Sequence, residues 1–497
     1  MQALKTLLAS IGIAENRISE PQMPIYDIVY DSRKAKDGVI FVCLVGAVAD
    51  GHRFAASAYE KGARVFVCEK SLSLPEDALV FSVENTRRAL ASLSAAFFDH
   101  PEKKLRVIGV TGTKGKSTVC EMIRHILCEN GIPAASVGTI GVRIGNTLIP
   151  TGNTTPESYE LFRIFADMAE KGIRYAVIEV SSQGVKLDRI YDIHFFAAVM
   201  TNLSEDHIGG AEHPDFEDYK RCKKELFSRC DHAFFNADDP CFEEFYECAS
   251  CPKQTYSITD DADFSAKAIV PTVTEKGFGS SFLFSCKDFR FDAFVPFPGA
   301  FSVSNALASV AVASLAEIPP EKALESLPSV RVGGRFEIVP TALTDVTFVI
   351  DYAHNGESLS AALQALRVYR PRRLICLFGS VGGRTEIRRR ELGIAASAYA
   401  DLSILTSDNP DREPAMDIIS DIAEYMKNAD YVCVADRKEA IAYAVSIAEA
   451  GDIVLLAGKG HETYQLIDGK KTPFSEREIL LEAAKEASLM EQSNIGR

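Results

Sequence analysis

Apolar residues run along the chain in short clusters separated by stretches of helical spacing, a pattern that predicts an α/β protein in three parts. In residues 1–104 the runs Val39–Val45, Arg64–Cys68 and Ala78–Val83 read as buried strands. Helical patterns around Arg53–Lys61 and Thr86–Phe98 separate them, giving a small α/β domain. The polar stretch DHPEKK at 99–104, with its proline, reads as a linker.

Residues 105–330 open with the strand LRVIGV (105–110), a Gly-rich turn and a helix. On that helix Val119, Met122, Ile123, Ile126 and Leu127 fall at i, i+3, i+4, i+7 and i+8, one apolar face, and Gly131 stands where a helix-ending glycine belongs. Further strands read YAVIEV (175–180), AAVMTN (197–202) and HAFFNA (232–237), so a mostly parallel sheet is expected. Residues 331–497 hold five strand candidates: TFVIDY (347–352), RLICLFG (373–379), LSILTSD (402–408), YVCVAD (431–436) and DIVLLAG (452–458). Several close on Gly or Asp at the carboxyl edge, where open α/β sheets bind ligands, so this part reads as a Rossmann-like domain.

Composition narrows the partners. Among 497 residues, 54 Lys and Arg against 69 Asp and Glu leave a net charge of −15, a poor match for nucleic acid. No run of about 18 apolar residues is available to span a bilayer. The start, MQALKTLLASIGIAENR, is too polar for a signal peptide and lacks a cleavage pattern, so a cytoplasmic chain without membrane insertion is expected. The 12 cysteines sit mostly in apolar patterns and read as reduced thiols. Cys248 and Cys251 have no second such pair and no nearby histidine, so they read as loop rather than zinc site.

The sharpest chemical signal is VTGTKGKST (110–118), lying between a strand and a helix. Glycines let backbone N–H groups close on phosphate oxygens, and the helix N-terminus adds partial positive charge. Lys116 can reach the β/γ-phosphates and Ser117 can ligate Mg²⁺. The strict spacing GxxxxGK[ST] is not met, because Val110 stands at the first glycine position. Glu179 closes the strand YAVIEV, and Asp206 and His207 follow the next strand in TNLSEDHIGG. Parallel strands put these ends on the rim of the phosphate loop, so Ser117, Glu179 and His207 are candidate Mg²⁺ ligands around ATP.

These residues carry a resemblance to the Mur ligase family, MurE type, over essentially the whole chain. YDSR (30–33), with Ser32, and VGAVADGH (45–52) resemble the family's uridine-nucleotide pocket. TGTKGKST (111–118) resembles its ATP loop, so Gly112, Thr113, Lys114, Gly115, Lys116, Ser117 and Thr118 are the expected ATP contacts. NTTPES (153–158), EVSSQG (179–184) and Arg189 resemble the muramoyl-peptide contacts, which singles out Thr154, Thr155, Ser182 and Arg189. HPDFEDYKRCKKELF (213–227) places Lys223 at the family's carbamylated lysine, a CO₂-derived group whose oxygens can serve the metals; composition alone does not choose it over Lys220 or Lys224. PGAFSVSNALA, GGRFE and DYAHN assign Asn305, Arg335, Asp351 and His354 to ATP. TSDNP (406–410) and GKGHETYQ (458–465), with Arg384, assign Arg384, Asp408, Asn409, Asp411 and Glu462 to the incoming amino acid. The sequence departs from the family pattern at Lys114, Gln183 and Ser302.

The resemblance implies three domains (1–104 for the UDP-linked substrate, 105–330 for ATP, 331–497 for the amino acid), a monomer, and an ATP- and Mg²⁺-dependent amide-forming ligase of peptidoglycan biosynthesis. Its partners would be UDP-N-acetylmuramoyl dipeptide and a free amino acid. ATP would phosphorylate the D-glutamate side-chain carboxylate, and the amino group would attack the acyl phosphate; Lys116, His207, Glu179 and Lys223 form the expected catalytic set. Domain closure would complete the site and exclude water. Members using meso-diaminopimelate typically read DNPR, whereas this chain reads DNPD with Asp411 in that place. A carboxylate attracts a far-end ammonium, so L-lysine is expected, with meso-diaminopimelate or ornithine as alternatives. A folylpolyglutamate synthase fits less well, given YDSR and DNP. A non-catalytic nucleotide-binding paralogue fits less well, given Lys116, Glu179, His207, Lys223 and Asp351.

Overall fold

The structure is a computed structural model describing residues 1–495, apart from 47–48, 206–207, 210–211, 275–276 and 384–385. It divides into two compact units, one of residues 1–265, 286–289 and 304–326, the other of 266–285, 290–303 and the chain from Leu327 onward.

The first unit contains a small two-stranded pairing of Gln2–Ala3 with Pro24–Ile25 and two larger sheets. Strands Asp27–Val29, Val39–Val42, Val65–Cys68 and Leu79–Ser82 pair in parallel in that order. Helix Thr86–Phe97 covers one face, its first turn closed by the Asn85 side chain accepting from Arg87 and Arg88 N–H. Ala89, Leu90, Leu93 and Ala96 from that helix join Leu4, Leu7 and Leu8 in the core. The helix expected from Arg53 begins instead as a 3₁₀ turn, Gly51–Phe54, which Asp50 caps, before the α-helix Ala55–Glu60.

The central sheet runs in parallel through Ala134–Gly138, Tyr175–Glu179, Arg106–Thr111, Ala197–Met200, Ala233–Asn236 and Lys253–Ser257. Its interior strands are buried on both faces, hence the unbroken apolar runs. Helix Lys116–Glu129 packs on it with Met122, Ile123 and Ile126 wholly buried, each contributing about 1.5–3 kcal/mol of transfer free energy. The antiparallel hairpin Gly141–Ile144/Thr147–Ile149 extends the sheet beyond Ala134–Gly138, an addition the helix–strand alternation does not announce.

The second unit is built on a six-stranded sheet ordered Glu337–Val339, Thr347–Asp351, Ile453–Ala457, Leu374–Phe378, Leu402–Leu405 and Tyr431–Cys433. Only the Glu337–Val339 edge is antiparallel, and all five expected strands are present. Helix Arg437–Ile447 contributes Ala440, Ile441, Ala444 and Val445 to its core. Among the described residues, no helix is long and apolar enough to cross a membrane.

Candidate functional site

The middle strand of the central sheet, Arg106–Thr111, runs directly into the phosphate loop. Gly112 has φ +144, and a Cβ there would collide with the Thr201 hydroxyl, so the close approach admits only glycine. Asn202 clamps the turn: its carbonyl accepts from Thr113 N–H at 2.8 Å, and its side-chain oxygen accepts from Lys114 N–H at 2.9 Å. Gly115 occupies the N-cap of helix Lys116–Glu129 in the left-handed region and brings no side-chain acceptor. A helix N-terminus opening on a glycine turn is the arrangement that backbone N–H groups use to meet an anion. Ser117, at the second helical position, is 5 % exposed, and half-buried Thr118 follows it. Lys116 Nζ donates to the Gly112 and Thr113 carbonyls at 2.9 and 3.0 Å, which holds the ammonium over the turn. Asn305, from helix Ala300–Ser314, lies against the loop; a Cβ on Gly115 would meet its Oδ1 at 2.6 Å.

Two further groups reach this rim. Glu179 ends the adjacent strand and is 2 % exposed. Its oxygens accept from Thr139 N–H at 2.8 Å and Thr139 Oγ1 at 3.1 Å, and Thr139 Oγ1 lies 3.0 Å from Thr154 Oγ1. Lys223 comes from helix Phe216–Lys224, is 1 % exposed, and donates to the Gly112 carbonyl at 2.7 Å. Its ammonium also sits 4.5 Å from the Tyr219 ring centre, and Tyr219 Oη is 3.2 Å from Thr113 Oγ1. Lys220 and Lys224 turn instead to Glu244, which separates the three lysines that composition left equivalent. His207 lies outside the described residues.

The candidate muramoyl-peptide residues gather after the same strand. Buried Thr155 donates to Glu179 O at 2.8 Å and accepts from Ser181 N–H at 3.0 Å. Arg189 donates to Thr155 O at 3.0 Å and pairs with Glu157, which Arg87 also reaches at 2.9 Å. Ser182, 4 % exposed, is the first residue of helix Ser182–Lys186. Ser32 opens the 3₁₀ turn Ser32–Lys34, which Asp31 caps, and its carbonyl accepts from Lys61 at 3.0 Å.

In the second unit Asp351 ends its strand; its oxygens accept from Phe336 and Ala353 N–H, both at 2.8 Å. Burial pushes this carboxyl above its usual range, and the Arg335 charge opposes that. Arg335 stacks on Tyr352 at 4.5 Å, and His354 Nδ1 is 2.8 Å from Tyr352 O. Asp408 and Asn409 meet Glu462 around a lysine that pattern reading passed over. Lys459, wholly buried, reaches Glu462 at 3.0 Å, Asn409 Oδ1 at 3.1 Å and Asp408 at 3.5 Å. Asn409 Nδ2 donates to Glu462 at 2.9 Å. Asp411 adopts φ +52 and accepts from Gly469 N–H at 2.7 Å in the turn of hairpin Tyr464–Ile467/Lys470–Pro473. It does not cap the following helix, whose N-cap Pro414 has no side-chain bond. Arg384 lies outside the described residues.

Comparison with known proteins agrees along the chain. The profile of the Mur ligase family, catalytic domain, matches residues 24–98; the Mur ligase middle domain matches 110–313; the Mur ligase, glutamate ligase domain, matches 334–460. The UDP-N-acetylmuramoyl-L-alanyl-D-glutamate–2,6-diaminopimelate ligase of Clostridium perfringens is 36% identical over 483 residues, 96% of this chain and 98% of the relative. That of Caldanaerobacter subterraneus is 39% identical over 479 residues, again 96% and 98%. A solved structure of a ligase of the same name superposes with a TM-score of 0.69 at 27% identity, covering 98% of this chain and 99% of that one.

Proposed function

This chain belongs to the Mur ligase family, and from that premise we propose that it joins the third amino acid to the D-glutamate of UDP-N-acetylmuramoyl-L-alanyl-D-glutamate, with ATP, in peptidoglycan biosynthesis. The observation that carries the reading is the convergence of Lys116, Lys223 and a glycine-capped helix start on one turn, beside a buried strand-end Glu179. That arrangement suits an anion that must be gripped and then approached by a second anion.

Lys116 and the loop N–H groups hold the β/γ-phosphates and offset their charge as the D-glutamate carboxylate attacks the γ-phosphorus. That attack expels ADP, and the resulting acyl phosphate is a mixed anhydride of the same carboxyl group. The incoming amino group adds to it, and the tetrahedral adduct collapses to amide and inorganic phosphate. Family members depend on Mg²⁺, and the donors here fit that hard cation: the Ser117 hydroxyl, the Glu179 carboxylate, His207 and a carbamate on Lys223. Bound there, Mg²⁺ would supply positive charge to the transferring phosphoryl group. The carbamate forms when the neutral amine adds to CO₂ and sheds a proton, turning a cation that repels the metal into an oxygen ligand. Thr154, Thr155, Ser182, Arg189 and Ser32 hold the UDP-linked peptide. The domains of this reading are 1–104 for the UDP-linked substrate, 105–330 for ATP and 331–497 for the amino acid, and the ligase works in the cytoplasm.

For the amino acid we take 2,6-diaminopimelate, the substrate in the relatives' names, received by the cluster of Asp408, Asn409 and Glu462, with Arg384 as the further contact that the family pattern implies. L-lysine remains the second reading, and it rests on the carboxylate of Asp411. One of that carboxylate's oxygens is already bound to the Gly469 N–H. A competition assay offering meso-diaminopimelate, lysine and ornithine decides between them. Phosphate release that needs both the UDP-linked dipeptide and diaminopimelate, with kcat/KM highest for diaminopimelate, is the expected result. A higher kcat/KM for lysine overturns the choice of amino acid, and ATP hydrolysis indifferent to both substrates overturns the ligase reading.

A further inference from the structure

Three side chains outside the phosphate loop form an unbroken chain, two of them buried and the third, Asp218, half-buried. Ser182 Oγ lies 2.9 Å from His213 Nε2, and His213 Nδ1 lies 2.8 Å from Asp218 Oδ2. His213 is wholly buried and Ser182 is 4 % exposed, so neither hydrogen bond is shared with bulk water.

The direction of the protons follows from Asp218. Arg221 donates to it at 2.6 Å and Lys186 at 2.9 Å, and with His213 they hold its carboxyl well below the usual range. An ionised carboxylate only accepts, so His213 Nδ1 carries the hydrogen. The proposal takes the ring in its neutral form, in which Nε2 accepts and the Ser182 hydroxyl spends its single proton on it. What Ser182 presents on its other side is lone pairs alone. The ligating atoms of His213, Asp218 and Cys222 lie within 4.8 Å of one another, but the two cations on Asp218 make the cluster a poor metal site.

The same segment reaches the phosphate loop. Asp218 sits in the first turn of helix Phe216–Lys224; Tyr219 and Lys223, further along, touch Thr113 and Gly112. The His213 ring packs edge-on against Tyr219, with centres 5.3 Å apart. One short helix thus ties the orientation of Ser182 to the position of the loop.

We propose that His213 is a positioning residue that, held by Asp218, fixes Ser182 as a pure hydrogen-bond acceptor for an N–H or O–H donor of the UDP-linked peptide. This rests on the reading of Ser182 as a contact to that substrate. Two independent measurements test it. With ¹⁵N-labelled histidine, the NMR signal removed by His213→Gln is expected to show a protonated Nδ1 and a bare Nε2; the opposite tautomer, or a ring protonated on both nitrogens, overturns the proposal. In kinetics, His213→Gln and the isosteric Asp218→Asn are each expected to raise KM for the UDP-linked dipeptide about tenfold, as for loss of one ordered hydrogen bond, while KM for ATP stays within about twofold. In a Ser182→Ala background the same changes are expected to add nothing. If Ser182→Ala itself leaves KM for the dipeptide unchanged, the assignment of Ser182 to that substrate falls and the proposal with it. If Ser182→Ala raises that KM but His213→Gln and Asp218→Asn do not, the assignment stands and the proposal alone is overturned. Should His213→Gln fail to fold, Asp218→Asn, which keeps shape and volume, carries the kinetic test.

Discussion

A lysine 1 % exposed beside a backbone carbonyl is an expensive way to build a core, since an ammonium out of water costs several kcal/mol unless it is compensated. Lys223 sits next to Gly112, where on the proposed reading a carbamate would face the phosphates. Lys223→Ala is expected to abolish ligation, and acetate or another short carboxylate to restore part of the rate by standing in for the carbamate oxygens. Full activity without additive would show that the wrong lysine had been chosen. Lys116, on the proposed reading, acts on the phosphates directly. Lys116→Ala is expected to lower kcat by roughly 10²–10³-fold, the scale seen when one preorganised charge-stabilising donor is removed. Near-normal turnover in the folded variant would contradict the phosphate-loop assignment. That both residues meet at one turn was foreshadowed in sequence for different reasons: Lys116 by its loop chemistry, Lys223 only by its place in a family pattern. Lys459 was passed over because a lysine between two glycines looks like a surface charge. Only the fold, by placing Asn409 and Glu462 around it, reveals a buried cation.

At the scale of elements, the phosphate loop depends on backbone shape more than on side chains. Gly115 holds φ +83 at the helix N-cap with Asn305 Oδ1 directly behind it. An alanine there costs about 1–2 kcal/mol in backbone strain and pushes on Asn305 as well. Gly131, just past the other end of the same helix, has φ +75 but nothing within 4 Å. Gly115→Ala is therefore expected to raise KM for ATP about tenfold, and Gly131→Ala to lower the thermal midpoint while leaving that KM alone. Equal effects of the two variants on KM would mean that general strain, not contact with the loop, is responsible. Strands buried on both faces and the helix starting at Lys116 were readable because their periodicities are strong. The edge strand Glu337–Val339 and the hairpin Gly141–Ile144/Thr147–Ile149 were not, since short, half-exposed strands carry little periodic signal.

For the whole molecule, a net charge of −15 is tolerable at neutral pH because several carboxylates are held by cations in the fold. Asp50 accepts from Lys70 and from His52 Nδ1, both at 2.6 Å, and its carboxyl is depressed chiefly by Lys70 and then by His52. Asp218 is depressed chiefly by Arg221, then by Lys186 and His213. A carboxyl whose folded pKa lies below its unfolded value near 3.8 stabilises the fold above that value, and the gain disappears as pH falls through the folded pKa. Asp351 and Glu476 act in the opposite sense: burial raises both, so they favour the protonated fold and oppose stability as pH rises. Arg437, wholly buried and 2.8 Å from Glu476, limits that second effect. The thermal midpoint is therefore expected to fall steeply once pH drops below about 4, where unfolded carboxylates take up protons that the folded Asp50 and Asp218 refuse. Asp218→Asn removes one such group. It is expected to lower the midpoint at pH 7 and to flatten the decline between pH 4 and pH 3. Scans of the two proteins across that range check it: parallel curves would mean that the Asp218 cluster contributes nothing to acid stability, whereas converging curves measure its share.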